Sequence, residues 1–433
     1  MSQEPIQSVP GTQDLLPGQW GHWRTLYGRA RQLFERYGYG EIRTPVFEDT
    51  RLFVKGTGET TDIVQKQMYS IPTDGLGERA DDAGSGITLR PEGTPSVIRA
   101  YLERDLDKQE PFQKLYYVGP MFRRERPQRG RLRQFHQLGV EAVGSDSPLL
   151  DAETVALAVD IFRGVGLRDF RVLLNSIGCA ECRPGLREEL RRGLEARAED
   201  LCEDCRARLE RNVFRVLDCN NEDCRRVVAG LPAVAELLCP ACADHYAQVK
   251  AALTATGVEF EEDPHLVRGL DYYTRTVYEV KHAGLGARDA ICGGGRYDDL
   301  VELLGGPPMP CVGFAIGAEA TVLAMESELG PAPETDSRPQ VYVVCFADEL
   351  RADCFGLVEE LRRAGLSADM DYEGRSPKAQ MRVANRLGAG VCLLVGPDEV
   401  ACGEVTVRAM GARRQWRVRR ASAVDEVRSQ LHA

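Results

Sequence analysis

A segment rich in arginine, set between two strand-like segments, constrains this chain more than any other feature. Between Phe122 and Arg133 there are six arginines and one glutamate, a local charge of +5 in a chain whose net charge is -11. Residues 115–118 are apolar, with two aromatic rings and a β-branched valine. Residues 135–143 alternate with period two, and a proline and a glycine mark the reversal between the two segments. This pattern predicts a long antiparallel β-hairpin.

The charge of the hairpin tip suggests a ligand. Guanidinium groups offer paired donors that match the geometry of phosphate, so six arginines at one tip predict phosphate binding. The alternative is a charged tip that is only solvated, since charge runs are common at protein surfaces.

The returning strand predicts a polar face. Side chains alternate between the two faces of a strand, which places one set of residues together: Phe135, Gln137, Gly139 and Glu141. The opposite face carries His136, Leu138 and Val140. An amide and a carboxylate that flank a glycine indicate the floor of a pocket for a small polar ligand, with room left by the glycine.

The segment from Phe122 to Gln137 resembles motif 2 of the class II aminoacyl-tRNA synthetases, in the form found in histidyl-tRNA synthetases. It reads Phe-Arg-Arg-Glu-Arg-Pro-Gln-Arg-Gly-Arg-Leu-Arg-Gln-Phe-His-Gln. Residues 41–48 form a predicted strand with an internal proline. Because proline lacks a backbone donor, the strand belongs at a sheet edge or at a break in pairing. The resemblance implies that this strand is motif 1, which builds a homodimer interface; the alternative is a plain edge strand.

Two further segments resemble signatures of the same family. The first, from Leu266 to Glu279, reads Leu-Val-Arg-Gly-Leu-Asp-Tyr-Tyr-Thr-Arg-Thr-Val-Tyr-Glu, and strand alternation predicts that its paired tyrosines, Tyr272 and Tyr273, lie on opposite faces. The second, residues 290–298, is a predicted strand that ends in three glycines, which allow close approach of backbone and ligand.

The segment from Gly313 to Ala320 resembles motif 3, a strand that continues into a helix. The family carries an arginine that faces ATP after the motif 3 glutamate, whereas this chain has Ala320. No cation lies between Cys311 and Met325 in the sequence to replace it.

Residues 88–94 precede a predicted helix for which Thr94 and Pro95 suit the N-cap and N1 positions. The family resemblance assigns histidine binding to a set of residues: Glu92, Thr94, Gln137, Glu141, Tyr272 and Tyr273. It assigns ATP to Arg123, Glu125, Arg131 and Phe135, with the phenylalanine against adenine. Arg123 and Arg268 are the predicted catalytic residues, which neutralise charge at the α-phosphate beside phosphate-bound Mg²⁺.

Eight of the fourteen cysteines fall in one helical segment rich in Arg and Glu. They form four close pairs: Cys179 and Cys182, Cys202 and Cys205, Cys219 and Cys224, and Cys239 and Cys242. Four such pairs would suffice for two all-cysteine structural zinc sites, although the sequence does not give the pairing. The alternative is a helical insertion with reduced, half-buried cysteines.

The last hundred residues alternate strands at 341–346, 367–372 and 391–396 with helices at 348–364 and 376–388, which predicts an α/β domain with a largely parallel sheet. The resemblance makes it an anticodon-binding domain. Its basic patch, residues 413–420, surrounds Trp416 and fits either nucleic-acid binding or a solvated edge strand.

The resemblance implies an α+β fold, a class II synthetase-like six-stranded antiparallel sheet with helices. The predicted domains are a catalytic core at 1–178, a helical Cys-rich insertion at 179–256, the continued core at 257–327, a linker at 328–340 and an anticodon-binding domain at 341–433. Residues 72–86, rich in Gly and Asp, predict a mobile surface loop.

The length and composition of the chain are consistent with this fold and these domains. A chain of 433 residues can form two or three domains, and no apolar segment approaches the roughly 20 residues that span a bilayer. The first residues lack a signal-peptide pattern, so we expect a cytoplasmic protein that contacts no membrane. The acidic net charge confines contact with nucleic acid to local basic patches.

The predicted reaction is activation of L-histidine by ATP and transfer to tRNA(His), in a homodimer. The first alternative is a catalytically silent, histidine-sensing regulatory subunit of histidine biosynthesis, favoured by Ala320 but opposed by the C-terminal domain and the Arg268 segment. The second is a tRNA-binding regulator without catalysis.

Overall fold

The computed structural model describes residues 5–59, 61–71, 86–219, 221–286, 289–332 and 338–431. The chain forms two compact units, residues 1–333 and 334–433. Within the described ranges, no helix combines the length and the apolar character needed to cross a membrane. The loop predicted at 72–86 lies, apart from its last residue, outside these ranges.

The first unit is built on an eight-stranded sheet and a small three-stranded one. Its strands are β1 (Gly40–Glu41), β2 (Phe47–Asp49), β3 (Tyr69–Ile71), β4 (Ile87–Leu89), β5 (Gln113–Phe122), β6 (Gln134–Val143), β7 (Phe170–Ser176), β8 (Glu261–Glu262), β9 (Thr274–His282), β10 (Ala290–Arg296) and β11 (Cys311–Gly317).

The order of the large sheet is β1-β5-β6-β11-β10-β9-β7-β8. Every neighbouring pair from β5 to β7 is antiparallel, which confirms the predicted six-stranded antiparallel sheet. The two-residue strands β1 and β8 add parallel edges to it.

The predicted hairpin is confirmed as β5 and β6. They pair from Gln113 opposite Val143 to Phe122 opposite Gln134, so the arginine-rich segment is the tip. Leu138 and Val140 join the main core, as their predicted face requires.

Helices cover the first unit's sheets and form the insertion. They are α1 (Trp20–Arg36), α2 (Thr50–Thr57), α3 (Thr94–Glu103), α4 (Leu106–Gln109), α5 (Pro148–Gly164), α6 (Arg183–Glu195), α7 (Glu203–Arg211), α8 (Phe214–Leu217), α9 (Glu222–Val228), α10 (Pro240–Ala255), α11 (Leu300–Leu303) and α12 (Ala318–Leu329).

Helix α5 shows how the sequence sets these elements. The hydroxyl of Ser147 accepts a hydrogen bond from the backbone N–H of Leu149, and Pro148 occupies the first helical position. The helix then packs against α1, α10 and β11, so its apolar residues fill the main core.

The single strand predicted over residues 41–48 is wrong. The segment forms the end of β1 and the start of β2, two strands that belong to different sheets. Pro45 lies between them, where the absence of a backbone donor prevents continued pairing. Both predicted positions are found: β1 is the outermost strand of the large sheet, and Pro45 lies at a break in pairing.

The second unit contains one five-stranded sheet with helices. Its elements are β12 (Val341–Cys345), α13 (Arg351–Arg363), β13 (Ala368–Met370), α14 (Pro377–Leu387), β14 (Val391–Val395), α15 (Pro397–Cys402), β15 (Glu404–Ala409), β16 (Arg414–Arg419) and α16 (Ala423–Leu431). Strand β12 pairs in parallel with β13 and β14, but β14 to β16 pair antiparallel. The sheet is therefore mixed rather than largely parallel. The connections after β14, which contains the six-residue helix α15, and after β15 are short and join antiparallel neighbours.

The basic patch forms the edge strand β16. Trp416 packs partly against the core of this unit, and its ring N–H donates to Glu426 at 3.2 Å. Arg417 and Arg420 form ion pairs with glutamates. The patch is therefore an edge strand in which two arginines are paired within the unit.

Candidate active site

Two buried glutamates form the centre of the site. Glu92 precedes helix α3, and its two carboxylate oxygens accept hydrogen bonds from the hydroxyls of Thr57 at 2.7 Å and Tyr272 at 2.8 Å. Burial raises the pKa of Glu92, while the two hydroxyls and the nearby Arg123 oppose that rise.

Glu141, on β6, is the second carboxylate. Its oxygens accept hydrogen bonds from the hydroxyl of Thr94 at 2.7 Å and from the hydroxyl of Tyr297. Burial raises the pKa of Glu141 to about 8, and the charge of Glu92 adds to the rise. A cation bound between the two carboxylates would lower the pKa of both and keep both groups charged, so the site suits a positively charged ligand.

The N-cap role predicted for Thr94 is wrong. Gly93 is the N-cap residue of α3, and Thr94 is the first residue of the helix. Its hydroxyl bonds Glu141 rather than a helix N–H, so the side chain belongs to the site and not to the cap.

Three tyrosine rings form one wall of the site. The ring centroids of Tyr272 and Tyr273 are 4.8 Å apart, and that of Tyr297 lies 5.5 Å from Tyr272 and 6.5 Å from Tyr273. All three are buried. The predicted placement of Tyr272 and Tyr273 on opposite faces of a strand is wrong, because both precede β9 in a turn that directs both rings inward.

The space over Gly139 is filled by protein. Tyr117 lies opposite Gly139 in the hairpin, and a Cβ added at residue 139 or at Gly93 would overlap its ring. The prediction that this glycine leaves room for a ligand is therefore wrong, since the room accommodates the cross-strand tyrosine ring.

Arginines of the hairpin lie beside this polar centre. The Nε of Arg123 donates to the carbonyl of Pro91 at 2.9 Å, and its guanidinium lies 5.2 Å from the ring centroid of Phe135. The pKa of Arg123 is lowered by burial, with the charge of Glu92 acting against this. Arg131 donates to the carboxylate of Glu125 at 2.8 Å. The four residues predicted to bind ATP thus form two contacting pairs.

Arg268 reaches the site from the turn before β9. Its guanidinium donates to the carboxylate of Glu279 and occupies the space over Gly293, where an added Cβ would overlap it. Burial by itself would lower the pKa of Arg268, but Glu279 more than offsets this, so the group remains charged. The three glycines lie within β10 rather than at its end, and the first of them provides room for Arg268.

The pairing of β6, β11 and β10 therefore places Gln137, Glu141 and Arg268 over one face of the six-stranded sheet. A family model described as histidyl-tRNA synthetase matches residues 11–321, and one described as an anticodon binding domain matches residues 340–430. The chain belongs to the histidyl-tRNA synthetase family.

Relatives and solved structures agree with this family. The chain is 45% identical over 422 residues to the histidine–tRNA ligase of Halothermothrix orenii, which covers 98% of this chain and 99% of that protein. It is 47% identical over 418 residues to that of Moorella thermoacetica, with 96% and 97% covered. The crystal structure of apo S. aureus histidyl-tRNA synthetase is similar with a TM-score of 0.79 and 34% identity, covering 98% of this chain and 100% of that one. The predicted family and fold are confirmed, and the regulatory-subunit alternative finds no support.

Motif 3 of this histidyl-tRNA synthetase family member supports the hairpin. Both carboxylate oxygens of Glu319 accept from the backbone N–H of His136, and one also contacts the ring Nδ1 at 2.9 Å. Ala320 packs partly against the main core. Among the described residues, the side chain of Glu319 hydrogen-bonds to His136. Motif 3 therefore holds the hairpin in place through Glu319, while Ala320 carries no charge at the position of the family's arginine.

The structure adds three residues that sequence reasoning missed: Thr57, Tyr117 and Tyr297. Tyr297 lies inside the second family signature, so its segment gave a signal, whereas Thr57 and Tyr117 gave none. One predicted residue, Gln137, is only partly satisfied, because its buried side-chain oxygen has no hydrogen-bond partner within the described chain. That oxygen is available to a ligand donor.

We predict that Glu141 makes stability fall as pH rises. Its pKa is 4.5 in a model compound and about 8 in the folded protein, so between these values the folded state holds a proton that the unfolded chain releases. The free energy of unfolding should decrease through this window, by at most about 1.4 kcal/mol per pH unit. Glu141→Gln removes this titrating group. In denaturant unfolding, the free energy of unfolding of the variant should therefore rise relative to that of the parent between about pH 5 and pH 8. Glu110→Gln, an exposed control, should follow the parent; parallel curves for Glu141→Gln would contradict the assignment.

Proposed function

We propose that this protein activates L-histidine with ATP to histidyl-adenylate and transfers the histidyl group to the 3′ end of tRNA(His). The observation that carries the proposal is that two buried carboxylates, Glu92 and Glu141, and two half-buried arginines, Arg123 and Arg268, surround the buried tyrosines Tyr272 and Tyr273. The carboxylates suit the cationic groups of histidine and the arginines suit its carboxylate and the phosphates.

Glu92 and Glu141 keep capacity for substrate. Each accepts two hydrogen bonds from protein hydroxyls, and a carboxylate that a bound cation keeps ionised has about four acceptor positions. We assign the α-amino group of histidine to Glu92, with Thr94 and Gln137 beside it, and the imidazole to Glu141 and the tyrosine wall. A buried polar set of this kind penalises amino acids that lack the matching donors.

The arginines suit the activation step. The histidine carboxylate attacks the α-phosphate of ATP and pyrophosphate leaves, so the protein has to align the two groups and neutralise the developing negative charge. We assign Arg123 and Arg268 to this charge, Phe135 to the adenine, and Glu125 with Arg131 to the remaining ATP contacts. Mg²⁺ bound to the phosphates would supply further neutralisation.

Two surfaces support the proposed partners. Phe47, in β2 of the motif 1 segment, is 56% exposed, which suits burial in a homodimer interface. In the second unit a cavity of about 600 Å³ is lined by residues that include Phe346, Trp416 and Arg417, side chains that suit a nucleotide. We assign this cavity to the anticodon loop.

Histidine-dependent exchange of radioactive pyrophosphate into ATP tests the function. Exchange with histidine, and none with the other amino acids, would support the proposal and show that Ala320 is tolerated. Histidine binding without exchange would overturn it in favour of a regulatory subunit. Binding of tRNA with neither histidine binding nor exchange would overturn it in favour of a tRNA-binding regulator.

A further inference from the structure

Eight cysteines of the insertion form two compact groups. The outer group is Cys179, Cys182, Cys239 and Cys242, and the inner group is Cys202, Cys205, Cys219 and Cys224. Within each group all four sulfur atoms lie within 4.8 Å of one another.

The sulfur spacing matches a single tetrahedral metal ion. In the outer group the Sγ–Sγ distances from Cys179 are 3.8 Å to Cys182 and 3.9 Å to Cys239, and Cys182 lies 3.8 Å from Cys242. In the inner group Cys202 and Cys219 are 3.9 Å apart. Four sulfurs at about 2.3 Å from zinc are separated by about 3.8 Å in a tetrahedron, whereas a disulfide would bring two of them to about 2.0 Å.

The local backbone favours thiolate ligands. Cys182, Cys202 and Cys239 are the N-cap residues of α6, α7 and α10, where the helix dipole stabilises negative charge. Backbone N–H groups also point at sulfur, from Cys179 to the Sγ of Cys182 at 3.1 Å and from Cys202 to the Sγ of Cys224 at 3.2 Å.

His245, the histidine nearest to these cysteines in the sequence, has another role. The Nε2 of His245, on α10, lies 2.8 Å from the buried carboxylate of Asp151 on α5. Among the described residues, each metal-sized group therefore consists of cysteines alone. Four thiolates at tetrahedral spacing select zinc, or a single iron, over the oxygen-seeking cations.

The two groups are nested along the chain. The outer group joins the start of α6 to the start of α10, the first and last helices of the insertion, and the inner group joins α7 to α9 between them. The outer group thus closes the base of the insertion, while the inner group organises its interior.

The insertion contacts the turn that carries the site tyrosines. Arg183, the residue after Cys182, donates to the backbone carbonyl of Tyr273. The side-chain amide of Asn212 donates to Asp271 at 2.9 Å in the same turn. A displacement at the outer group would therefore reach the tyrosine wall through Arg183.

We propose that each chain binds two structural zinc ions, one in each cysteine group, and that the outer ion positions the Tyr272–Tyr273 turn for histidine. The positioning part rests on the proposed function, whereas the metal content does not. Zinc in the outer group fixes Cys182, which fixes Arg183 against the Tyr273 carbonyl. The inner ion stabilises the insertion and is connected to this turn less directly, because Asn212 lies seven residues from each of its nearest ligands, Cys205 and Cys219.

Metal analysis of the full-length protein, purified under reducing conditions, tests the two sites. We expect about two zinc ions per chain in the parent and in Cys402→Ser, an exposed cysteine of the second unit that serves as control. The double variants Cys179→Ser/Cys182→Ser and Cys219→Ser/Cys224→Ser should each retain one. Trace metal in the parent, or iron in place of zinc, would overturn the zinc proposal.

Pyrophosphate exchange tests the positioning role. The outer variant should raise the KM for histidine at least about tenfold, more than the inner variant does, with the KM for ATP changed less. Removing metal from the parent with a chelator should have the same effect, and added Zn²⁺ but not Mg²⁺ should reverse it. Equal KM values for histidine in the outer variant and the parent would overturn positioning, while absence of exchange in the parent would instead overturn the proposed function.

Discussion

Replacing Arg268 with alanine is expected to lower histidine-dependent pyrophosphate exchange by about 10²–10³-fold. The guanidinium is held by Glu279 in the space over Gly293, so it is fixed before substrate binds. A preorganised cation of this kind stabilises charge that develops at the α-phosphate, and its loss should reduce kcat more than it raises the KM for ATP.

Two variants separate this effect from loss of structure. Arg36→Ala removes an exposed arginine at the end of α1 and should leave exchange unchanged. Arg268→Lys keeps the charge but loses the forked donor geometry, so it should restore only part of the rate. Exchange in Arg268→Ala within a factor of about three of the parent would remove Arg268 from the proposed mechanism.

Replacing Arg296 with leucine is expected to lower the free energy of unfolding by about 3–5 kcal/mol. The side chains of Arg296 and Asp151 are both 0% exposed, and the Nε of Arg296 donates to Asp151 at 3.0 Å. Burial alone would raise the pKa of Asp151, but His245 and Arg296 together hold it below its usual value, so the carboxylate is charged. Without Arg296, the charged carboxylate of Asp151 would remain buried with only His245 as its partner, and this would destabilise the folded state. Denaturant unfolding followed by tryptophan fluorescence of the first unit measures the loss.

A surface ion pair provides the matched comparison. Arg171 and Glu261 are each 56% exposed in their side chains and lie 3.4 Å apart, so Arg171→Leu should cost less than about 1 kcal/mol. Equal losses in the two variants would show that the buried pair contributes no more than an exposed one.

The sequence predicted well those elements that are specified by residues close together in the chain. The hairpin, with residues 113–122 paired to 134–143, follows from period-two alternation and a turn. The family was also readable, because its motifs are contiguous segments. Where one residue interrupts a local pattern, as Pro45 does, even the strand bounds were wrong.

The hydrogen-bond partners of the site residues could not be predicted from neighbouring residues in the sequence. Thr94 suits a helix cap by local chemistry, but its hydroxyl bonds Glu141, 47 residues away. Tyr272 reaches Glu92 across 180 residues. Such contacts depend on how strands distant in sequence are arranged in the sheet, and a single sequence carries no direct record of that arrangement.

The sequence by itself determined the hairpin, the antiparallel fold through its resemblance, and the residue types available for histidine, ATP and metal. Only the tertiary structure decided that Tyr117 fills the space over Gly139 and how eight cysteines divide into two groups. The physical reason is the same in both cases. Backbone periodicity is encoded by neighbouring residues, whereas the packing of side chains and the meeting of thiols depend on distances between segments that are fixed only when the sheet and the insertion have folded.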